Sequence, residues 1–333
     1  MVELLDRSFI FVTGKGGVGK TTIANALGLA VAARGRRVVV CEVGDQQRLP
    51  LLFGNAAARG GREVELAPGL AATSIEPDAV LRHWLEVQLR SRALVAVLTR
   101  TPVFVYFIAA VPGAREVITL AQAWNLTQPE RWGGRERGYD TVIVDGPASG
   151  HALGMLRTPR TFGDMARVGT VRRQADRVRS LITDPRRTAY VAVAMPEEMP
   201  VTETLELEGR LRAEVGLGPA AVVVNGVLPQ RFSAVELERV ERARSARAEG
   251  AMASALTAAV AQGERARAQG AQLRRLRRGT AAPVVTLPQL LDGEIGRAEL
   301  DQLSHELARR LSEDARPGGR AAAPSARPRP VLD

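Results

Sequence analysis

A loop of four glycines between an apolar segment and a helix-forming segment constrains this chain more than any other feature. Residues 9–13 before the loop have the pattern of a buried strand, and residues 22–33 after it have the pattern of a helix. The glycines are Gly14, Gly16, Gly17 and Gly19. Lys20 and Thr21 follow directly, which completes the pattern G-x4-G-K-T in the strand–loop–helix context that this motif requires.

Such a loop can direct consecutive backbone N–H groups at one anion, and the helix N-terminus adds partial positive charge. Glycines permit the backbone angles and a close approach of phosphates. Lys20 can reach the β- and γ-phosphates, and the Thr21 hydroxyl can ligate Mg²⁺. The sequence therefore predicts that ATP with Mg²⁺ binds to Gly14, Lys15, Gly16, Gly17, Val18, Gly19, Lys20, Thr21 and Thr22.

The lysine content of the chain supports the same loop independently. Of the 46 lysine and arginine residues, only Lys15 and Lys20 are lysines, and both lie in the loop. An ammonium is a compact point charge that fits a tight phosphate site, whereas a planar guanidinium does not. We therefore predict a functional role for Lys15 as well as for Lys20.

The string from Gly14 to Thr22, with Lys15 in second position, resembles the deviant Walker A loop. That class includes the arsenite-pump ATPase ArsA, the ATPases that target tail-anchored proteins, and the MinD and ParA positioning ATPases. The resemblance implies that Lys15 reaches across a dimer interface to the partner's nucleotide. It also implies a dimer that forms around ATP, either a homodimer or a heterodimer with a related ATPase subunit.

Short apolar runs alternate with helical stretches along the chain, which predicts an α/β fold with a doubly wound, mostly parallel P-loop sheet. The predicted strands are residues 9–13, 38–42, 70–75, 141–144, 190–194, 221–224 and 284–287. We predict a single domain over residues 1–312, with a helical insertion at about 78–128 and a second helical block at about 231–278. The Pro-, Gly- and Arg-rich residues 313–333 are predicted to be a disordered tail.

Asp145 follows the apolar run 141–144, where a carboxylate can hold Mg²⁺ beside the phosphate loop. The residues after it, Gly146 to Leu153, resemble switch II of the ArsA and tail-anchored-targeting branch. The resemblance gives the Gly150 N–H a γ-phosphate contact. His151 fits a structural or switch-positioning role better than proton transfer.

Two further strand ends resemble the adenine side of that branch. Asn225 follows the run 221–224, and its amide can pair with an adenine edge. Pro288 follows the last apolar run, 284–287. We therefore predict adenine contacts from both residues.

Switch I departs from the branch pattern. Glu42 stands where the resemblance expects the first Asp, and Leu49 stands where it expects the Asp that orients the attacking water. A leucine cannot position water for proton transfer, and substitution by Asp45 or Gln46 would need a different course of the loop. Hydrolysis by this chain alone is therefore less secure than ATP binding.

Composition limits the partners and the setting. One cysteine, Cys41, excludes an internal disulfide, a Cys-x-x-Cys zinc site and a thiolate arsenite site, and it fits a cytoplasmic protein that is soluble or peripheral at a membrane. No run is long enough for a transmembrane segment. The net charge of +10 is spread beside acidic residues, so a nucleic-acid partner is not expected.

Three alternatives stay open. The apolar residues 103–108 could line a groove for a membrane-protein client, although core or dimer interface is the simpler interpretation. The chain could be a MinD- or ParA-like positioning ATPase, against which the residues around Gly150 and the long insertion argue. It could also be a nucleotide-binding subunit that does not hydrolyse ATP.

Overall fold

The structure is a computed structural model, which describes residues 3–44, 53, 62–102, 110–134, 137–166, 168–246, 249–290 and 295–314. One eight-stranded sheet runs through it in the order β3-β4-β2-β5-β1-β6-β7-β8. The strands are β1 (Phe9–Gly14), β2 (Val38–Val43), β3 (Val64–Ala67), β4 (Leu70–Ile75), β5 (Thr141–Ala148), β6 (Thr188–Ala194), β7 (Ala221–Val227) and β8 (Val284–Pro288). All neighbouring pairs are parallel except β3 with β4.

Ten helices of the described residues accompany the sheet. They are α1 (Lys20–Ala32), α2 (Pro77–Leu89), α3 (Arg92–Arg100), α4 (Ala114–Leu126), α5 (Ser149–Ala166), α6 (Thr170–Ile182), α7 (Glu198–Val215), α8 (Ala234–Ser245), α9 (Gly250–Gly279) and α10 (Arg297–Asp314). A short 3₁₀ helix, Leu4–Asp6, precedes β1.

The two faces of the sheet are covered by different helices. Phe9 and Phe11 of β1 belong to the core that holds the buried residues of α4 to α7. Ile10 and Val12 point into the other core, which holds α1 and α10. Because both faces are covered, every residue of β1 is buried, as expected for the central strand of a parallel sheet.

The predicted fold class is confirmed: the structure is α/β with a mostly parallel sheet and helices on both faces. The run 70–75 matches β4 in full, but β5 continues to Ala148, four residues beyond the predicted end. The structure adds β3, which was not predicted. Of its four residues only Ala67 is buried, because β3 lies at the edge of the sheet, where it pairs antiparallel with β4.

The two predicted helical regions contain helices in their described parts. The stretch 78–128 holds α2, α3 and α4, and the stretch 231–278 holds α8 and α9. The run 103–108 and residues 315–333 lie outside the described residues. Among the helices that the structure describes, none combines the length and apolar content needed to cross a bilayer.

Candidate functional site

The phosphate loop leaves the sheet at the end of β1 and enters α1 at Lys20. A Cβ atom at Gly14 would overlap the carbonyl oxygen of Val193 in the adjacent strand β6. A Cβ atom at Gly19, where φ is +92°, would lie 2.5 Å from the side-chain nitrogen of Asn225. Gly14 is therefore required by contact with the neighbouring backbone, whereas at Gly19 it is the positive φ that favours glycine.

The outer part of the same loop faces open space. Gly16 and Gly17 are exposed, and an added Cβ atom at either one would meet nothing within 4 Å. The first turn of α1 carries no acidic residue, so no side chain of the helix itself opposes the partial positive charge of its N-terminus. This space, bordered by backbone N–H groups and a helix N-terminus, fits a phosphate chain.

Lys20 stands at the inner side of this space. Its Nζ atom donates a hydrogen bond to the Lys15 carbonyl oxygen at 3.0 Å. Burial lowers the pKa of the Lys20 ammonium, and the nearby Asp145 carboxylate acts in the opposite direction. A partly desolvated cation beside the loop interacts more strongly with a phosphate than a solvated one does.

Thr21 and Asp145, predicted as the magnesium residues, lie together. The Thr21 Oγ1 atom donates to the Asp145 Oδ2 atom at 2.6 Å, which joins the first turn of α1 to β5, the strand beside β1. Among the described residues, no three His, Cys, Asp or Glu side chains form a cluster that could hold a metal on its own. One hydroxyl and one carboxylate suit Mg²⁺, which keeps several waters and binds substrate phosphates.

The predicted switch II begins in the sheet and ends in a helix. A Cβ atom at Gly146 would lie 2.6 Å from the Val12 carbonyl oxygen, so the chain passes close to β1 before α5 begins. Gly150 and His151 lie exposed in the first turn of α5. The Gly150 contact to a γ-phosphate stays a prediction.

Switch I is described only at its start. Glu42 is buried in β2 and is the register partner of Asp145 in β5. Asp45, Gln46 and Leu49 lie outside the described residues.

The predicted adenine residues lie on neighbouring strands. Asn225 is in β7, Pro288 ends β8, and the register pairs Val227 with Pro288. The Asn225 Nδ2 atom donates to the Val18 carbonyl oxygen at 3.2 Å. In this structure Asn225 therefore stabilises the phosphate loop through a hydrogen bond. The adenine contacts of Asn225 and Pro288 stay predictions.

Comparison with known proteins adds to this geometry. A family model described as anion-transporting ATPase matches residues 7–174 and 163–250. The match includes the phosphate loop, Asp145 and Asn225, and it covers well over half of the chain. This chain belongs to the anion-transporting ATPase family.

Individual relatives are 23–30% identical to this chain over about two thirds of its length. ATPase BagA of Mycobacterium tuberculosis is 30% identical over 239 residues, which cover 68% of this chain and 67% of that protein. The arsenical pump-driving ATPase of Acidiphilium multivorum is 28% identical over 242 residues, 67% of this chain but 40% of that protein. ATPase GET3 of Lachancea thermotolerans is 23% identical over 261 residues, 68% of this chain and 74% of that protein.

Two residues at the site of this family member were not predicted from the sequence. Glu203 in α7 forms an ion pair with Lys15, with 2.9 Å between the Lys15 Nζ and Glu203 Oε1 atoms. Gln269 in α9 accepts from the Leu228 N–H at 2.8 Å and donates to the Gly226 carbonyl oxygen at 3.3 Å. Both are polar residues of helices, and their sequence pattern does not distinguish a solvated side chain from one that contacts the site.

An apolar groove of about 540 Å³ lies between α2, α4, α5 and α6, and among the described residues that line it none is a predicted nucleotide residue. Its lining includes Trp84, Ile118, Phe162, Met165 and Val171. The run 103–108, which the sequence suggested as a groove lining, is outside the described residues. A groove of this size and composition suits an apolar ligand or peptide segment.

Proposed function

We propose that this chain binds Mg²⁺-ATP at the phosphate loop and hydrolyses it as one subunit of an ATP-gated dimer. The observation that carries the proposal is the contact of Thr21 with Asp145 at 2.6 Å, beside the partly buried ammonium of Lys20. These are the oxygen ligands and the cation that a magnesium–triphosphate group requires.

The roles follow from position. The amides of the loop and of the first turn of α1 bind the β-phosphate, and Lys20 neutralises charge on the β- and γ-phosphates. Thr21 and Asp145 would hold the metal, which would stabilise negative charge on the phosphate oxygens when bound. Phosphoryl transfer needs little covalent chemistry from the protein, so orientation and charge stabilisation by these residues are the main contribution.

A second candidate is a nucleotide-binding subunit that does not hydrolyse ATP unless a related subunit completes the site. Glu42, which takes the place of the expected switch I aspartate, is buried beside Asp145 in the sheet. Leu49 follows in the chain where the water-orienting carboxylate is expected. Family membership argues against the MinD- and ParA-like alternative.

The groove supports a proposal for the partner. Its lining is apolar, and Met165, Val168 and Val171 at its border are exposed. A membrane-protein segment has the matching chemistry, so we propose such a client for this surface. We assign no transported anion to this chain from the names of its relatives.

Phosphate release tests the proposal. Purified chain would be assayed with ATP and Mg²⁺, alone and mixed with a related subunit, beside the variant Lys20→Ala. We expect the wild-type chain to release phosphate and the rate of release to fall by at least about 100-fold in the variant, because Lys20 stabilises negative charge in the transition state. Thermal unfolding of the variant controls for folding.

Each outcome separates the candidates. Release by the lone chain that disappears in Lys20→Ala supports hydrolysis. Release only in the mixture supports the second candidate. Release that is equal in Lys20→Ala, or no measurable ATP binding to the wild-type chain, overturns the assignment of the loop.

A further inference from the structure

Lys15 follows the last residue of β1 in the phosphate loop, and its side chain is directed to its own subunit. Its Nζ atom lies 2.9 Å from the Oε1 atom of Glu203, and the two side chains are 32% and 31% exposed. Glu203 belongs to α7, which follows β6 in the chain. The contact therefore joins the loop to a helix that contributes no predicted nucleotide ligand.

The same carboxylate reaches the start of the switch helix. The Ser149 Oγ atom donates to the Glu203 Oε2 atom at 3.5 Å, the outer limit of a hydrogen bond. Ser149 is the first residue of α5, four residues after Asp145. Glu203 thus contacts the phosphate loop and the first residue of α5 in the predicted switch II, one through each oxygen atom.

The ion pair and a contact across a dimer interface compete for the same ammonium. Glu203, 2.9 Å from the Lys15 Nζ atom, is an anion that opposes the approach of a second anion, the partner's phosphate, to that ammonium. A partly exposed ion pair is weak, because water and salt screen it. It can therefore be exchanged for a phosphate contact, which is a stronger interaction for an ammonium.

We propose that Glu203 is a positioning residue that holds Lys15 and the Ser149 end of α5 in the nucleotide-free subunit and releases both when the dimer forms. This inference rests on the proposed ATP-gated dimer. Glu203 then sets a threshold for ATP-dependent dimerisation. Each subunit must break its Lys15–Glu203 contact before Lys15 can reach the nucleotide of the partner.

The lysine content of the chain allows a test that does not depend on a dimer. Lys15 and Lys20 are its only lysines, so acetylation at low reagent concentration, read by mass spectrometry, reports two side-chain amines. In nucleotide-free protein, Glu203→Gln should raise the acetylation rate of Lys15 by about 1.5- to 5-fold, the range expected for an exposed ion pair. The rate at Lys20 should not change.

Glu206→Gln is the matched control, because Glu206 is an exposed residue of the same helix and the charge change is identical. Glu203→Asp keeps the charge on a shorter side chain and should give an intermediate rate at Lys15. Equal Lys15 rates in the wild type, Glu203→Gln and Glu206→Gln would overturn the proposal.

Sedimentation with a non-hydrolysable ATP analogue and Mg²⁺ tests the consequence. Because two contacts are lost per dimer, Glu203→Gln should lower the dimer dissociation constant by about 2- to 25-fold, whereas Glu206→Gln should not. If the wild type dimerises and the dimer dissociation constant of Glu203→Gln is unchanged or larger, the threshold role is wrong, while the proposed dimer is supported. If no variant dimerises, the proposed dimer is wrong and the threshold role with it, while the acetylation rates still decide the Lys15 contact.

Discussion

In the centre of the sheet, β1 and β6 bury every side chain, whereas the border of the groove leaves aliphatic side chains in solvent. Val168 is 82% exposed and Val171 is 44% exposed, although Val191 and Val193, of the same residue type, are fully buried in β6. The difference has a functional meaning. Close packing holds the phosphate loop in one geometry, while an open apolar surface can adapt to a ligand.

The largest expected effect is at the point where the sheet fixes the loop. Gly14→Ala would force a Cβ atom into the Val193 carbonyl oxygen, which belongs to a fully buried strand. We expect a loss of about 4 kcal/mol or more in the free energy of unfolding, measured by chemical denaturation.

Gly16→Ala is the control for the open part of the loop. An added Cβ atom at Gly16 meets nothing within 4 Å, so the unfolding free energy should change by no more than about 1 kcal/mol, while ATP affinity should fall because the methyl group occupies phosphate space. Similar stability losses in both variants would show that the loop is not divided into a packed and an open part.

These glycines also show how far sequence reasoning reaches. The phosphate loop and the buried strands could be predicted because their patterns are local. The end of β5 could not be predicted, because Gly146 and Pro147 are atypical of strands. The strand continues through them because it passes close to β1.

Glu203 and Gln269 were missed for a different reason. Their partners, Lys15 and the Gly226–Leu228 backbone, are distant in the chain. A glutamate or glutamine in a polar helix has the same pattern whether it faces solvent or a loop that folds against it. Only the packing of α7 and α9 against the site distinguishes the two cases.

A matched pair of valines measures the contrast directly. Val223→Ala removes two methyl groups from the core of β7, where the side chain is fully buried, and should cost about 2 kcal/mol. Val171→Ala at the border of the groove should change the unfolding free energy by less than about 0.5 kcal/mol. Denaturant titration of both variants checks this. Equal losses would mean that the groove border is packed as tightly as the sheet.

The smallest effect concerns two ion pairs of the same i,i+4 type. Glu208 in α7 is 10% exposed, and it accepts hydrogen bonds from Arg212, the Thr280 hydroxyl and the Ala281 N–H. Asp176 in α6, beside the groove, is 46% exposed and pairs with Arg172. Glu208→Gln should cost about 1 kcal/mol at pH 7, because a charge-assisted set of hydrogen bonds becomes a neutral one. Asp176→Asn should cost no more than about 0.5 kcal/mol.

The pH dependence of the unfolding free energy shows whether the charge of Glu208 stabilises the fold. Burial acts to raise the pKa of Glu208, but its hydrogen bonds and the Arg212 charge more than offset this, so the pKa of Glu208 is lowered. A carboxyl group with a lowered pKa stabilises the fold above its unfolded-state pKa and loses that contribution as the pH falls through its folded-state pKa. The stability difference between wild type and Glu208→Gln, measured by denaturation, should therefore shrink from pH 7 to acid. A difference that is constant with pH would assign the effect to shape alone, and the contrast between the buried and the exposed pair would then not be electrostatic.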